Sequence, residues 1–385
     1  MNPNSTTPGK QRTIPPALAA ALVLAIGMGF GRFAFTGLYP LMVRDGYLTV
    51  HSGTLAASAN YAGYLIGALM LAMLKPTNSR LLCMASMIAT VTCLAILFWA
   101  DNMWVIIAIR GLAGIVSAVS MVAASMWLMH DMGHQRGAPT LYAGVGVGIV
   151  LSAELIALGH AFGLHSAALW MVLALSGLLL VLVSTAGLAC KAETVVGKAA
   201  ATDSVSHATS RSQAFILIVI YGLAGFGYII TATYLPLLIK NAIGPIDPVH
   251  VWALFGLGAI PSCFVWHAVN VRLGTRKSLA LNLTVQAIGV ALPALSHSGF
   301  FYIASAFLVG GTFLGTVTIV MPAARHVAHA VRFNMMAGLT AVYGVGQIIG
   351  PLVANAIYVS NQSFAGSLWT AAAALLLATA MCRGI

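Results

Sequence analysis

The chain reads as a succession of apolar runs, each about twenty residues long and set off by short polar breaks, over almost its entire length. A run of that length, coiled as a helix, crosses the ~30 Å hydrocarbon core of a bilayer. The pattern predicts twelve spans, at approximately 15–43, 52–74, 81–100, 104–129, 138–162, 167–189, 214–239, 250–271, 279–296, 300–323, 334–358 and 364–382. Gly and Pro interrupt many of them, as membrane helices tolerate, and no ten-residue alternation points to a β-barrel. The expected fold class is an all-α membrane protein with 12 transmembrane helices.

The polar and small residues inside the spans repeat. Gly29-Phe30-Gly31, followed by Tyr39-Pro40-Leu41, returns as Gly225-Phe226-Gly227, followed by Leu235-Pro236-Leu237, each pair 196 residues apart (225 less 29). Gly144-Val145-Gly146 returns as Gly344-Val345-Gly346 at a displacement of 200 (344 less 144), the small excess being a loop insertion. Two echoes in nearly constant register indicate one unit present twice. Because the copies run in the same chain direction, an even number of spans separates equivalent points, and six fits. The expected organisation is a cytoplasmic tail over 1–13, a six-helix bundle over 14–189, a polar linker over 190–212 and a second six-helix bundle over 213–385. Duplication of this kind is a feature of transporters. Gly27 with Gly31, and Gly144 with Gly148, are spaced for close helix contact, while Pro40 and Pro236 are expected to end or kink their helices.

Composition agrees with lipid as the solvent: 60% of residues are hydrophobic and 6% charged, far below the quarter or so that covers a soluble surface. The net charge of +11 does not indicate nucleic acid, because the cations gather on one side. With the N-terminus inside, Lys10, Arg12, Lys75, Arg80, Arg136, Lys191, Lys198, Arg211, Arg272, Arg276, Lys277, Arg325, Arg332 and Arg383 are all cytoplasmic, and Arg44 and Lys240 fall outside. That asymmetry predicts both termini in the cytoplasm. The five cysteines show neither disulfide nor metal spacing. His130-Asp131-Met132-Gly133-His134 lacks a further ligand set and reads as a solvated turn. Neither a metal nor a cofactor is expected.

Three ionisable residues lie within spans. Glu154 is 16 residues into span five, Arg32 is 17 residues into span one, and Arg110 enters span four from the opposite side to a similar depth. A charge at bilayer depth costs ~3 kcal/mol or more, so each needs a partner or a wet cavity. Two readings stand: a permanent salt bridge from Glu154 to Arg32 or Arg110, or an Arg-lined site whose single carboxylate takes up and releases a proton. Two guanidiniums against one carboxylate would favour an anionic substrate. At the displacement of 196, Arg32 corresponds to Tyr228, so the second half supplies neutral polar candidates: Tyr228 itself, with Thr231, Thr312, Thr316, Tyr343, Gln347 and Asn355. Asn60 and Tyr64 in span two join them.

Local motifs carry a resemblance. Val271-Arg272-Leu273-Gly274-Thr275-Arg276-Lys277 resembles the Asp-Arg-x-Gly-Arg-Arg loop of the major facilitator superfamily, with Val271 in place of the acid. Arg110-Gly-Leu-Ala-Gly114 resembles its Arg-x-x-x-Gly motif of span four, and Gly346-Gln-Ile-Ile-Gly350-Pro351 its Gly-x-x-x-Gly-Pro motif, which normally belongs to span five. More narrowly, the segment from Gly29 to Met42 and the stretch Asn60-Tyr-Ala-Gly-Tyr-Leu-Ile-Gly67 resemble the YbfB-type branch. The resemblance implies two six-helix bundles related by a pseudo-two-fold axis along the membrane normal, rocking about a central cavity lined by spans one, four, seven and ten. Arg32, Arg110 and Tyr228 would then stand on cavity helices, with Glu154 on a neighbour. It also implies a proton-linked role for Arg110.

The function expected is secondary transport of a small organic solute across the bacterial inner membrane, coupled to protons, by a monomer whose other partner is the lipid bilayer; no nucleic acid is involved. No Gly-rich nucleotide loop suggests ATP drive. The alternatives are a transport-inactive sensor or scaffold that keeps the fold, and a membrane-embedded enzyme, which one buried carboxylate does not equip.

Overall fold

The computed structural model describes residues 14–73, 78–188, 211–239, 244, 247–332 and 335–385. The expected tail, most of the linker, and Lys75 and Lys240 lie outside the described residues. Among those described, every regular element is a helix, and eleven are long and apolar enough to cross a membrane. They are α1 (Pro16–Arg44), α2 (Val50–Met73), α3 (Ser79–Phe98), α4 (Met103–Asp131), α5 (Gln135–Ala161), α6 (Ser166–Leu188), α7 (Arg211–Leu238), α8 (Pro248–Leu295), α9 (Gly299–Val327), α10 (Met335–Asn361) and α11 (Ala365–Met381). Side-chain caps begin several of them: Asn78 accepts from the Leu81 N–H, Asn102 from that of Trp104 and Asp247 from that of Val249.

Residues Pro248–Leu295 of α8 are two helical arms that meet at a kink, and they correspond to the spans 250–271 and 279–296 that the apolar pattern separates. The polar segment between them is not a loop. It is helical except at Gly274, whose φ of 74° and ψ of 164° turn the chain in a region open to glycine and costly for other residues. The Ser278 hydroxyl then ties the two arms together, 2.8 Å from the Gly274 carbonyl and 2.9 Å from Asn270 Oδ1. Pro40 and Pro236 likewise do not end their helices; they lie inside α1 and α7.

Helix α1 is not uniform. Residues Ala25–Phe33 form a π-helical stretch, fully buried, containing the Gly-Phe-Gly sequence. Glycines set how closely its neighbours approach: a side chain on Gly144 or Gly148 of α5 would overlap the α1 backbone at Ala21 or Ala25. In the second half, a side chain on Gly346 of α10 would overlap the α7 backbone at Gly222. Thus α1 lies on α5 as α7 lies on α10, held by van der Waals contact and not by a hydrophobic force that lipid would cancel.

The halves meet where α2 packs on α10 and α5 on the first arm of α8. Between them, the Thr36 hydroxyl donates to the Ala232 carbonyl at 2.9 Å, and these two positions are themselves 196 residues apart. The outer surface is rich in apolar side chains such as Leu178, Leu179 and Leu182 of α6 and Leu257 and Phe264 of α8. The protein is a multi-pass membrane protein.

Candidate functional site

The π-helical stretch of α1 creates the site's first requirement. Carbonyls displaced from the regular ladder need donors, and in lipid they must come from protein. Arg110 of α4 supplies two: its Nη1 donates to the Gly31 carbonyl at 2.7 Å and its Nη2 to the Arg32 carbonyl at 2.9 Å. Its guanidinium also lies over the Phe35 ring, 4.6 Å from the centroid. One turn further, Ser117 donates to the Gly27 carbonyl at 2.6 Å. Asn60 of α2 holds α4 in register by donating to the Arg110 carbonyl at 2.8 Å. Arg110 is 1% exposed and anchors main chain.

Arg32 differs. It is 3% exposed, and its Nη2 donates to Gln347 Oε1 of α10 at 2.7 Å, but among the described residues Nε and Nη1 find no hydrogen-bond partner. Rings enclose the guanidinium, with Tyr64 4.3 Å, Tyr61 5.0 Å and Phe33 5.5 Å from its carbon. Gln347 Nε2 donates in turn to the Tyr228 hydroxyl. The repeat-equivalent positions 32 and 228 are therefore joined through one side chain. Tyr228 is fixed by stacking, on Phe313 at 5.4 Å and Tyr343 at 5.8 Å, and Tyr343 stacks on Tyr221 at 4.4 Å.

The close contacts between basic and acidic side chains of the described residues are Arg44–Asp45, His130–Asp131, His160–Asp247 and His250–Glu154. The salt bridge expected from Glu154 to Arg32 or Arg110 is not among them. Glu154 Oε1 instead lies 3.1 Å from His250 Nδ1 in the first turn of α8, and its side chain is 49% exposed. The reason is angular: Glu154 occupies the face of α5 that meets α8, whereas the arginines point inward from α1 and α4.

Of the candidates, Arg32, Arg110, Tyr228, Tyr64, Tyr343, Gln347 and Asn60 come together. The Thr312 hydroxyl bonds to its own helix at Leu308 while its carbonyl accepts from Asn282 Nδ2 at 3.0 Å, and Thr316 donates to Asn282 Oδ1 at 2.7 Å, so both residues tie α9 to the second arm of α8. Thr231 is buried with its hydroxyl unpartnered. Asn355 meets His51 at 3.2 Å. Two features escaped the sequence reading. Tyr61 lies one turn from Tyr64, a spacing that puts both on one helix face and so was open to detection. The histidine partners were not, since His250 and His160 stand at helix ends among other polar residues.

The end of the molecule away from the termini is stitched across the halves. Thr54 meets the Tyr234 hydroxyl at 2.7 Å, Tyr61 meets Thr233 at 3.0 Å, and the Trp252 indole donates to the Phe33 carbonyl at 3.1 Å. Beyond them runs a chain: the Ser166 N–H donates to Asp45 Oδ2 at 2.8 Å, Asp45 pairs with Arg44, Arg44 Nη1 reaches His160 Nε2 at 2.5 Å, and His160 Nδ1 reaches Asp247 Oδ2 at 2.5 Å. An Arg donor on Nε2 leaves the proton of a neutral His160 on Nδ1, directed at Asp247. Burial opposes ionisation of Asp45, but the Ser166 N–H and the Arg44 guanidinium outweigh it and hold the carboxyl below its ordinary 3.8.

The chain is of the class of membrane transporters, not an enzyme. Residues 24–383 match the family described as "Uncharacterised MFS-type transporter YbfB", and the chain belongs to that family of the major facilitator superfamily. It is also similar to the tetracycline resistance protein, class C, of Escherichia coli, 23% identical over 376 residues that take in 92% of this chain and 91% of the relative.

Proposed function

We propose that this chain is a proton-coupled secondary transporter that carries a small organic anion by alternating access, with Arg32 as the group that holds the anion. The observation that carries the reading is the Arg32 guanidinium, buried, with no carboxylate paired to it and two nitrogens without partners among the described residues. An unneutralised charge at that depth is expensive, and a carboxylate or phosphate arriving in the site would repay the cost through hydrogen bonds to the free nitrogens. The aromatic walls of Tyr61, Tyr64 and Tyr228 suit an organic body behind the anionic group.

Several observations support the rest of the reading. Counting both arms of α8 gives twelve crossings, six in each half. The Thr36–Ala232 contact between repeat equivalents is what a pseudo-two-fold axis between two bundles would produce. The hydrogen bonds across the far end are those of a conformer closed on that side. With the cation asymmetry, that side is periplasmic in a bacterial inner membrane and the closed conformer faces the cytoplasm. Glu154, paired with His250 across the seam, is the proposed proton-coupling group: loss of a proton changes the charge of the pair and hence the strength of the closure.

The test is uptake into proteoliposomes with and without a pH gradient, using a panel of carboxylates and phosphate esters, with tetracycline as a further probe. Arg32→Ala should abolish uptake of the anion that the wild type carries, and equal losses for anionic and neutral solutes would defeat the assignment. Glu154→Gln should remove gradient-driven accumulation while leaving exchange, and undiminished accumulation would take Glu154 out of coupling. Absence of flux for every solute, with specific binding retained, would favour a sensor.

A further inference from the structure

Away from the central site, a surface hollow of about 360 Å³ lies between the start of the second arm of α8 and the end of α11. Arg276 and Lys277 line it from one side and Arg383 from the other, with Ala280, Leu376, Thr379, Ala380 and Cys382 completing the wall. All three cations are exposed, and none has an ion-pair partner among the described residues. Three positive charges around one concavity repel one another, which is tolerable in water and favourable once an anion sits between them. Both arginines present planar forks that match phosphate oxygens in pairs, while Lys277 adds a point charge.

The rest of the wall decides the kind of anion. Ala280, Leu376 and Ala380 run from the cations toward the apolar part of the span, and the neighbouring Leu281, Leu376 and Leu377 are 46%, 52% and 56% exposed. A free phosphate would use the charged rim alone. A phospholipid would use both parts, its phosphate between the cations and an acyl chain along the leucines. Gly274 makes the arrangement possible: its turn brings Arg276 and Lys277, at the head of the second arm, to the same end of the molecule as Arg383.

We propose that this hollow is a binding site for an anionic phospholipid headgroup, with a two-phosphate headgroup favoured by the three cations. The test uses the full-length protein in detergent, titrated with diphosphatidylglycerol, phosphatidylglycerol or phosphatidylcholine and read by native mass spectrometry as bound lipid. The anionic lipids should bind at least tenfold more tightly than phosphatidylcholine. Arg276→Gln/Lys277→Gln/Arg383→Gln should remove that preference, and the single Arg383→Gln, at an exposed helix end, should reduce it severalfold. Arg80→Gln/Arg136→Gln, which removes two exposed cations from the same end but outside the hollow, should leave it within twofold. Three results would overturn the site: no preference in the wild type, a preference retained by the triple variant, or an equal loss in the two control substitutions. Complete displacement of lipid by millimolar inorganic phosphate, with Leu376→Asp binding lipid as the wild type does, would overturn the lipid assignment in favour of a phosphate-ion site.

Discussion

Replacing Gln347 by glutamate exchanges the amide oxygen 2.7 Å from Arg32 Nη2 for a carboxylate oxygen and leaves the rest of the cage in place. At an effective dielectric constant of about 20, charges about 4 Å apart attract by about 4 kcal/mol. Burying a new carboxylate consumes several kcal/mol of that, but the desolvation of Arg32 is common to both proteins. The Tyr228 hydroxyl, now accepting from Gln347, can reverse and donate to the carboxylate. The net expectation is a gain of about 1–2 kcal/mol. Gln347→Leu, by contrast, removes a hydrogen bond to a charged group and should cost about 1.5–3 kcal/mol. Thermal unfolding of the full-length protein in detergent should therefore order the three as glutamate above wild type above leucine. A panel of benzoate, citrate and a phosphate ester should raise the midpoint of the wild type and leave the glutamate variant unmoved, because its own side chain fills the place of the anion. A glutamate variant as unstable as the leucine variant would show that Arg32 does not lack a counter-charge. One that responded to anions as the wild type does would place their site elsewhere.

Arg110→Lys should cost about 2–4 kcal/mol, since one ammonium cannot span the Gly31 and Arg32 carbonyls or lie flat on Phe35; a midpoint within a degree of wild type would refute the anchoring role. Asp45→Asn should lower the midpoint at neutral pH by an amount worth about 1–2 kcal/mol. Because the folded carboxyl titrates below 3.8, its contribution is present above that pH and lost as pH falls through the lower folded value, so the gap between variant and wild type should close on acidification. A gap of constant size would assign the loss to shape, not charge. His160→Cys/Asp247→Cys, at positions whose side-chain tips meet at 2.5 Å, should be joined by a short bifunctional methanethiosulfonate reagent, and the bridge should stop transport until reductant removes it; full flux in a protein shown by mass to be cross-linked would refute closure at this end.

The helices were legible because lipid imposes one simple rule on length and polarity, and ten of the twelve predicted spans correspond one to one with helices. Around Gly274 the two remaining spans are the two arms of α8, and the connection that its charged residues suggested is tighter than a loop: a single positive-φ glycine makes the turn. Of the candidate site, position along each helix was legible and direction was not: residue counting gives height along a helix and says nothing of which way a side chain turns. Glu154 accordingly met His250 and not an arginine.

What separates the two arginines is a main-chain irregularity that composition does not reveal. Because Ala25–Phe33 departs from α-helical bonding, it exposes carbonyls that take up both terminal nitrogens of Arg110, leaving its Nε alone without a partner among the described residues. Arg32, on the same stretch, receives one amide oxygen and three aromatic rings, which accommodate a guanidinium without neutralising it. The repeat then explains why one cation stands there and not two. Positions 32 and 228 both reach Gln347, so an arginine at each would bring two guanidiniums to one amide and set a repulsion of several kcal/mol at the join of the halves. Tyr228 keeps the bulk and the hydrogen bond of the position without the charge. The centre is thus charged on one side and neutral on the other, which suits the proposed ligand with an anionic end and an organic end.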